Sequence, residues 1–473
     1  MKRFEYFDDD QVGRVHEATL RVLERVGVDF HYPPALEVLR KAGCRVEGVR
    51  VFFPPRLVEE QVAKAPGEFT LRGRDPDKSV PIGGDHIAFA GPYGAPFVAD
   101  LDRGRRPAPL EDYVRIVQLI QASRYLDVVS YDAVEPNDLP EDQRNARMIC
   151  AALRYSDKPF MGGTLGEAAA RETLQLASLV FGSPEELAAN PPFLSILCSR
   201  TPLGFDDKMT GAIMEYARAG MPQLISSLAI AGATAPCSLA GTLVVQNAEI
   251  LAGIVLTQLV REGTPVVFSG SSSNAAMRFG TLSVGSPEMA INAAATAQMA
   301  RFYGVPSRAG GAVTDAKVPD AQAAGESMQS QLMATLAGAH FVLHSAGILD
   351  GYLVTSYEKL VLDDQICGMC KRIRAGYERL DEPFDEQLAV DLIASVGPGG
   401  EYLTQAHTYE RFRQEFFAPP MDASGPYDHW LSEGALPMEQ RANRRWKELL
   451  ADYEEPRLPP SVEKDLQAYL DAL

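Results

Sequence analysis

Through the middle of the chain, short apolar runs alternate with longer amphipathic ones. The strand-like runs are HIAFA (86–90), LDVVSYD (126–132), PFMGG (159–163), PFLSILCS (192–199), PQLISSL (222–228), PVVFSG (265–270), PSRAGG (306–311) and HFVLHSA (340–346). Each passes into a loop rich in Gly, Ser or polar residues. Apolar residues at helical spacing then follow near 110–122, 141–155, 166–180, 206–219, 238–261, 287–303, 320–338 and 356–375. Strands that read as near-continuous apolar runs are buried on both faces, as in a parallel sheet covered by helices. Eight such units in series predict an α/β fold, a (β/α)8 TIM barrel. A doubly wound open sheet is the alternative, weakened because no G-x-G-x-x-G or P-loop follows a strand. The first run could instead form a hairpin with residues 96–100.

The flanks break this rhythm. DDQVGRVHEATLRVLERVGV and PPALEVLRKAG read as two helices, the second ended by Gly43, and short strand-like runs follow at 51–53 and 69–71. Beyond the last unit, GPGGEYLTQAHTYERFRQEFFAPP reads as a glycine turn, a loop and a helix, and the remainder is helical and charged. The expected organisation is an N-terminal helical and small-β extension (1–80), the barrel (81–378), and a C-terminal helical extension packed on it (379–473).

Composition narrows the function classes. A 46% apolar content across 473 residues supports a large core, and a net charge of −18 argues against nucleic acid and anionic membrane surfaces as partners. The most apolar stretch, 239–259, is long enough for a bilayer but holds Gln246, Asn247 and Glu249, so a buried helix of a soluble, cytoplasmic protein is expected. The N-terminus lacks the apolar segment of a signal peptide. The six cysteines read as reduced thiols. Cys367 and Cys370 form a C-x-x-C pair inside a helix, with no second pair to complete a zinc site, so no metal is expected.

In a barrel of this kind the chemistry sits at the C-terminal ends of the strands. The loops there carry Tyr93 and Phe97, Tyr131 and Asp132, Gly162 and Gly163, Ser199 and Arg200, Ser226 and Ser227, Ser271 to Ser273, Asp315 and Lys317, then His344 and Tyr352. They offer no metal-ligand grouping and no G-x-S-x-G elbow. Aromatics beside carboxylates suit a cation that cannot donate a hydrogen bond, held at roughly 0.5–2 kcal/mol per good ring contact. Tyr93, Phe97, Tyr131, Asp132, His344, Tyr352 and Glu358 are the candidate substrate-binding residues; Asp315, Lys317 and Glu249 are the candidate catalytic ones. Plainer alternatives stand beside several of them: loop packing for Tyr93 and Phe97, an exposed ion pair for Asp315 and Lys317, a buried structural link for Glu249, and a core residue for His344; His407, in QAHTYERF, is a further candidate whose alternative is a helix cap.

Several long motifs in one order are similar to the trimethylamine:corrinoid methyltransferase family. They are AGATAPCSLAGTLVVQNAEILAGIVLTQLVREGTPVVFSGSSS, GSPEMAINAAATAQMARFYGVPSRAGGAVTDAKVPDAQAAGES, SYEKLVLDDQICGMCKRI, and the terminal GPGGEYL…HTYERFR. The resemblance runs from about residue 10 to 460. It implies a (β/α)8 barrel that moves a methyl group from an amine nitrogen to the cobalt of a corrinoid. Members acting on trimethylamine carry pyrrolysine, expected here in the loop around Asp315–Lys317. This chain has only standard residues, so it resembles the non-pyrrolysine branch, which takes quaternary amines such as glycine betaine. The chain lacks the D-x-H-x-x-G pattern of a cobalamin-carrying domain, so the resemblance implies a corrinoid borne by a separate protein at the barrel mouth. It further implies a His, Arg or backbone amide for a betaine carboxylate, with His344 the candidate. Self-association is left open. Two other readings compete: a barrel lyase or aldolase using Lys317 as Schiff-base nucleophile, and an amine-binding relative without activity.

Overall fold

In the computed structural model, which describes residues 3–377, 382–421 and 423–473, the central apolar runs form one curled parallel sheet. Its strands are β1 (Ala88–Phe89), β2 (Phe160–Met161), β3 (Phe193–Cys198), β4 (Gln223–Ser227), β5 (Val266–Gly270), β6 (Ser307–Gly310) and β7 (Phe341–Leu343). These seven strands follow the order β1-β7-β6-β5-β4-β3-β2. Residues 128–129 close the ring. Val128 bridges Ala90 on one side and Val129 bridges Phe160 on the other, both parallel. Seven strands and this closing segment make the eight-fold barrel that the alternation predicts. The first run is a barrel strand. Phe97–Asp100 is the separate one, pairing antiparallel with Gly104–Pro107 in a hairpin over the barrel.

Eight helices cover the sheet: α1 (Leu110–Ala122), α2 (Glu141–Tyr155), α3 (Glu167–Phe181), α4 (Asp207–Ala219), α5 (Leu239–Val260), α6 (Pro287–Phe302), α7 (Ala321–Ala337) and α8 (Tyr357–Ala375). Helix α5 is apolar on every side because both of its sides are covered. One face lies on β4 and β5, and the other is packed by the N-terminal helices Asp9–Arg25, Pro33–Lys41 and Pro55–Val62. Its bilayer-like length therefore reflects a helix between two layers of protein. Helix Asp9–Arg25 starts in a capping box, with the Asp8 carboxylate accepting from the Gln11 amide and the Gln11 side chain accepting in return.

The N-terminal segment joins the barrel through strand Val28–Phe30, which pairs parallel with Gly204–Phe205 in the loop after β3. At the other end, helix Met438–Ala451 packs on α8 and α1, and Pro460–Asp471 packs on α3 and α2. The expected boundary at 378/379 lies outside the described residues.

Candidate active site at the barrel mouth

Arg308 is the most unusual residue of the barrel. It sits on β6 and is fully buried. One Nη donates to Ser271 Oγ and the other to His344 Nδ1 at 2.9 Å, while Nε has no partner. Among the described residues no carboxylate pairs with it. A buried charge costs several kcal/mol unless it is compensated, and burial pulls the Arg308 guanidinium below its ordinary value.

His344, at the end of β7, links that cation to the next group. Guanidinium is donor-only, so Nδ1 of His344 must accept. Nε2 then carries the ring proton and donates to the Tyr93 carbonyl at 3.1 Å. Burial, then the charge of Arg308, holds His344 well below the usual imidazole range, so the ring is neutral. Its backbone is left-handed (φ 60°), as is that of Tyr352 (φ 75°). Side-chain-bearing residues adopt that region at a cost, and such outliers cluster at functional sites. The Tyr352 ring lies 4.6 Å from the His344 ring and the Tyr93 ring 6.3 Å from it, nearly perpendicular.

The opposite pole is Asp132, after the closing segment. Burial pushes its carboxyl up to about 7, with Glu135 adding and Arg144 opposing. Its Oδ1 and the neighbouring Tyr131 hydroxyl are buried without hydrogen-bond partners. The charge of Asp132, second to burial, raises the Tyr93 phenol well above its ordinary value, and the Tyr93 hydroxyl is 3.3 Å from Thr164 Oγ1. Tyr93, Tyr131, Asp132, His344 and Tyr352 are thus linked through contacts and charge, with Arg308 joined to them by His344.

The remaining sequence candidates lie in other surroundings. Glu249 on α5 accepts from the hydroxyls of Ser199 (2.5 Å), Thr201 (3.1 Å) and Ser227 (2.6 Å), and from the Leu203 amide (2.7 Å). Burial raises its carboxyl and these four donors oppose the rise. Asp315 accepts from Ser283 Oγ (2.7 Å) and the amides of Val284 (3.0 Å) and Gly285 (3.2 Å), fastening the loop after β5. Lys317 is 69% exposed and pairs with Asp350 at 2.5 Å. An exposed pair of this kind contributes roughly 0–1 kcal/mol. Phe97 packs with Ala316, Leu349 and Val354 beneath the Arg105 guanidinium, 4.3 Å from its ring centroid. Glu358, in the first turn of α8, binds Trp446 Nε1 (2.9 Å), Asn443 Nδ2 (2.8 Å) and the Leu101 amide (3.2 Å), which ties down the C-terminal helix.

Arg308 was missing from the sequence candidates, although its signal was present. It is a lone charge inside PSRAGG, a run read as a strand buried on both faces. Gly162 and Gly163 serve close packing: a Cβ on Gly162 would meet Ser195 Oγ at 2.6 Å, and one on Gly163 would meet Asn145 Oδ1.

Residues 1–472 match the family described as trimethylamine methyltransferase. The chain belongs to that family. It is 44% identical over 471 residues to the glycine betaine methyltransferase of Desulfitobacterium hafniense (strain Y51), covering 99% of this chain and 97% of the relative. It is 31% identical over 478 residues to the proline betaine:corrinoid methyltransferase of Eubacterium limosum, covering 98% and 97%. Among solved structures, the monomethylamine methyltransferase of Methanosarcina barkeri aligns with a TM-score of 0.55 at 13% identity, covering 96% of this chain and 90% of that one. The likeness to that structure shows a shared barrel fold.

Proposed function

We propose that this chain transfers a methyl group from a carboxylate-bearing quaternary amine, of the glycine betaine type, to the reduced corrinoid of a separate carrier protein. The observation that carries this reading is Arg308, a buried cation with no counter-anion among the described residues, beside a cluster of aromatics and a carboxylate. A betaine is a zwitterion. Its carboxylate supplies the anion that Arg308 lacks, through the charge-assisted fork that guanidinium forms with carboxylates. Its trimethylammonium end requires ring faces and a distant negative charge, which Tyr93, Tyr131, Tyr352 and Asp132 offer. His344 spends both ring nitrogens, on Arg308 and on the Tyr93 carbonyl, so in this reading it positions Arg308 while Arg308 holds the carboxylate.

The corrinoid is a co-substrate and supplies the nucleophile for the methyl carbon. The C–N bond breaks, its electron pair stays on nitrogen, and a neutral tertiary amine leaves. The nitrogen is already cationic, so no proton has to be delivered. Burial keeps the Tyr93 and Tyr131 phenols protonated. The chain's work is to hold both ends of the amine, turn one methyl towards the mouth, and keep water out.

The test combines the purified chain with a reduced corrinoid protein and trimethylglycine, carnitine or proline betaine. The expected result is the tertiary amine by NMR together with the methylated corrinoid by absorbance. Trimethylamine, which has no carboxylate, is expected to be a poor substrate. Failure with all three betaines would overturn the proposal.

A pH dependence follows from Asp132. Its folded value, about 7, lies above the ordinary 3.8, so the carboxyl stays neutral in acid and ionises through neutrality. A fixed ammonium charge gains only from the ionised form. Trimethylglycine affinity, measured by calorimetry, is therefore expected to rise between about pH 6 and 8, by at most about tenfold per unit, and then level off. Asp132→Asn should flatten the profile at weak affinity. A profile unchanged by that substitution would remove Asp132 from the cation site.

A further inference from the structure

The loop after β5 leaves the site as an arm. Ser271, whose hydroxyl receives Arg308, is followed by an antiparallel hairpin of strands Ser273–Ala276 and Thr281–Ser283. Its tip is Met277-Arg278-Phe279-Gly280. Met277 is 77% exposed and Phe279 73%. The base is tightly held: Ser273 Oγ donates to the Ser283 carbonyl at 2.5 Å, Ser286 Oγ donates to Asn274 Oδ1 at 2.6 Å, Asp315 takes Ser283, Val284 and Gly285, and Ile230–Ala231 pairs along the inner edge. Two large apolar side chains therefore stand in water on a fixed support.

Other exposed apolar residues lie at the same end of the barrel. Leu165 follows β2 and is 46% exposed, Val318 follows β6 at 56%, and Leu353 follows β7 at 45%. Cations stand among them. Arg200 after β3 and Arg278 on the tip are exposed and form no ion pair among the described residues. An apolar rim edged with unpaired positive charge has the composition of a recognition surface. On a chain of net charge −18, such cations select an anionic partner and disfavour a second copy of the same acidic chain.

We infer that the tip Met277–Phe279, with Leu165, Val318 and Leu353, is the docking rim for an acidic protein that presents the corrinoid to the mouth. This inference rests on the methyl-transfer reading above and adds the surface that receives the acceptor. The geometry favours this occupant because the hairpin grows from a residue bound to Arg308. A macrocycle that must reach the substrate methyl has to enter beside it.

The probes are a corrinoid-carrier protein that binds the wild-type chain, and free cob(I)alamin. The double variant Met277→Ser/Phe279→Ser should raise the carrier Kd, read by biolayer interferometry, and its KM by at least tenfold. Its calorimetric affinity for trimethylglycine and its rate with free cob(I)alamin should stay unchanged. Arg278→Glu should weaken the carrier at low salt and lose part of that effect at high salt. Carrier affinity equal to the parent's, in a variant that still turns over, overturns the inference. So does a fall of equal size with free cob(I)alamin, or a self-association in wild-type chain that the double variant abolishes. Binding is read apart from turnover, so a chain that binds the carrier through the hairpin yet demethylates no betaine sinks the functional reading and keeps the docking one.

Discussion

Replacing Arg308 with glutamine is expected to weaken trimethylglycine binding by about 100-fold and to leave tetramethylammonium binding within about threefold. Truncating one partner of a buried, hydrogen-bonded charge pair costs on the order of 2–5 kcal/mol, and each 1.4 kcal/mol is tenfold in affinity. The two ligands share the ammonium head and differ in the carboxylate, so their ratio reads the contact directly. Equal loss for both would mean that Arg308 only supports the fold of the mouth. Stability should move the opposite way. The free guanidinium is buried, has an unpartnered Nε, and has no counter-anion among the described residues. Removing a lone buried cation should leave the denaturation midpoint unchanged or raised. Lower ligand affinity with equal or higher stability is the signature of a residue that the fold tolerates for function.

The same position shows what could be read from the sequence. The barrel was legible because its signal is repeated. Each strand is a short apolar run, helices α1 to α4 carry a period near 3.6, and no single unit has to be right for the series to stand. Even the closing segment at 128–129, held by single bridges, lies inside a run that the pattern marks. Position at a strand end was also legible, which is how Tyr93, Tyr131, Asp132, His344 and Tyr352 were singled out. The hydrogen-bonding role of a side chain was hidden. Asp315 and Asp132 both follow barrel strands, yet Asp315 is taken up by two amides and a hydroxyl while Asp132 keeps an unpartnered oxygen. That difference comes from contacts with residues about 30 positions away, at Ser283 to Gly285, which no local pattern encodes. Glu358 shows the same limit: its partners Asn443 and Trp446 come from the C-terminal extension.

Substituting Glu249 by alanine is expected to destabilise the chain by about 3–5 kcal/mol, and by glutamine about 1–2 kcal/mol. The carboxylate collects three hydroxyls on Oε2 and the Leu203 amide on Oε1. Alanine leaves that amide without an acceptor in the interior and opens a cavity. Glutamine can turn its carbonyl to Leu203 and its NH2 to the hydroxyls, which rotate to accept. The order alanine worse than glutamine therefore follows from donor and acceptor counting, and a shift in urea midpoint at constant slope would measure it. The loop it holds runs from Ser199 through Leu203, where φ is 52°, into Gly204–Phe205, the partner of strand Val28–Phe30. Losing the hub should therefore loosen the N-terminal extension. Amide exchange in residues 28–30 and 50–52 should rise in Glu249→Ala well beyond any rise in β6 and β7. Uniform exchange across the barrel would show instead that Glu249 supports the whole fold. Trimethylglycine affinity in Glu249→Gln should stay close to wild type, because the carboxylate is already occupied by its four donors. A large loss there, with stability preserved, would return Glu249 to the set of residues that meet the substrate.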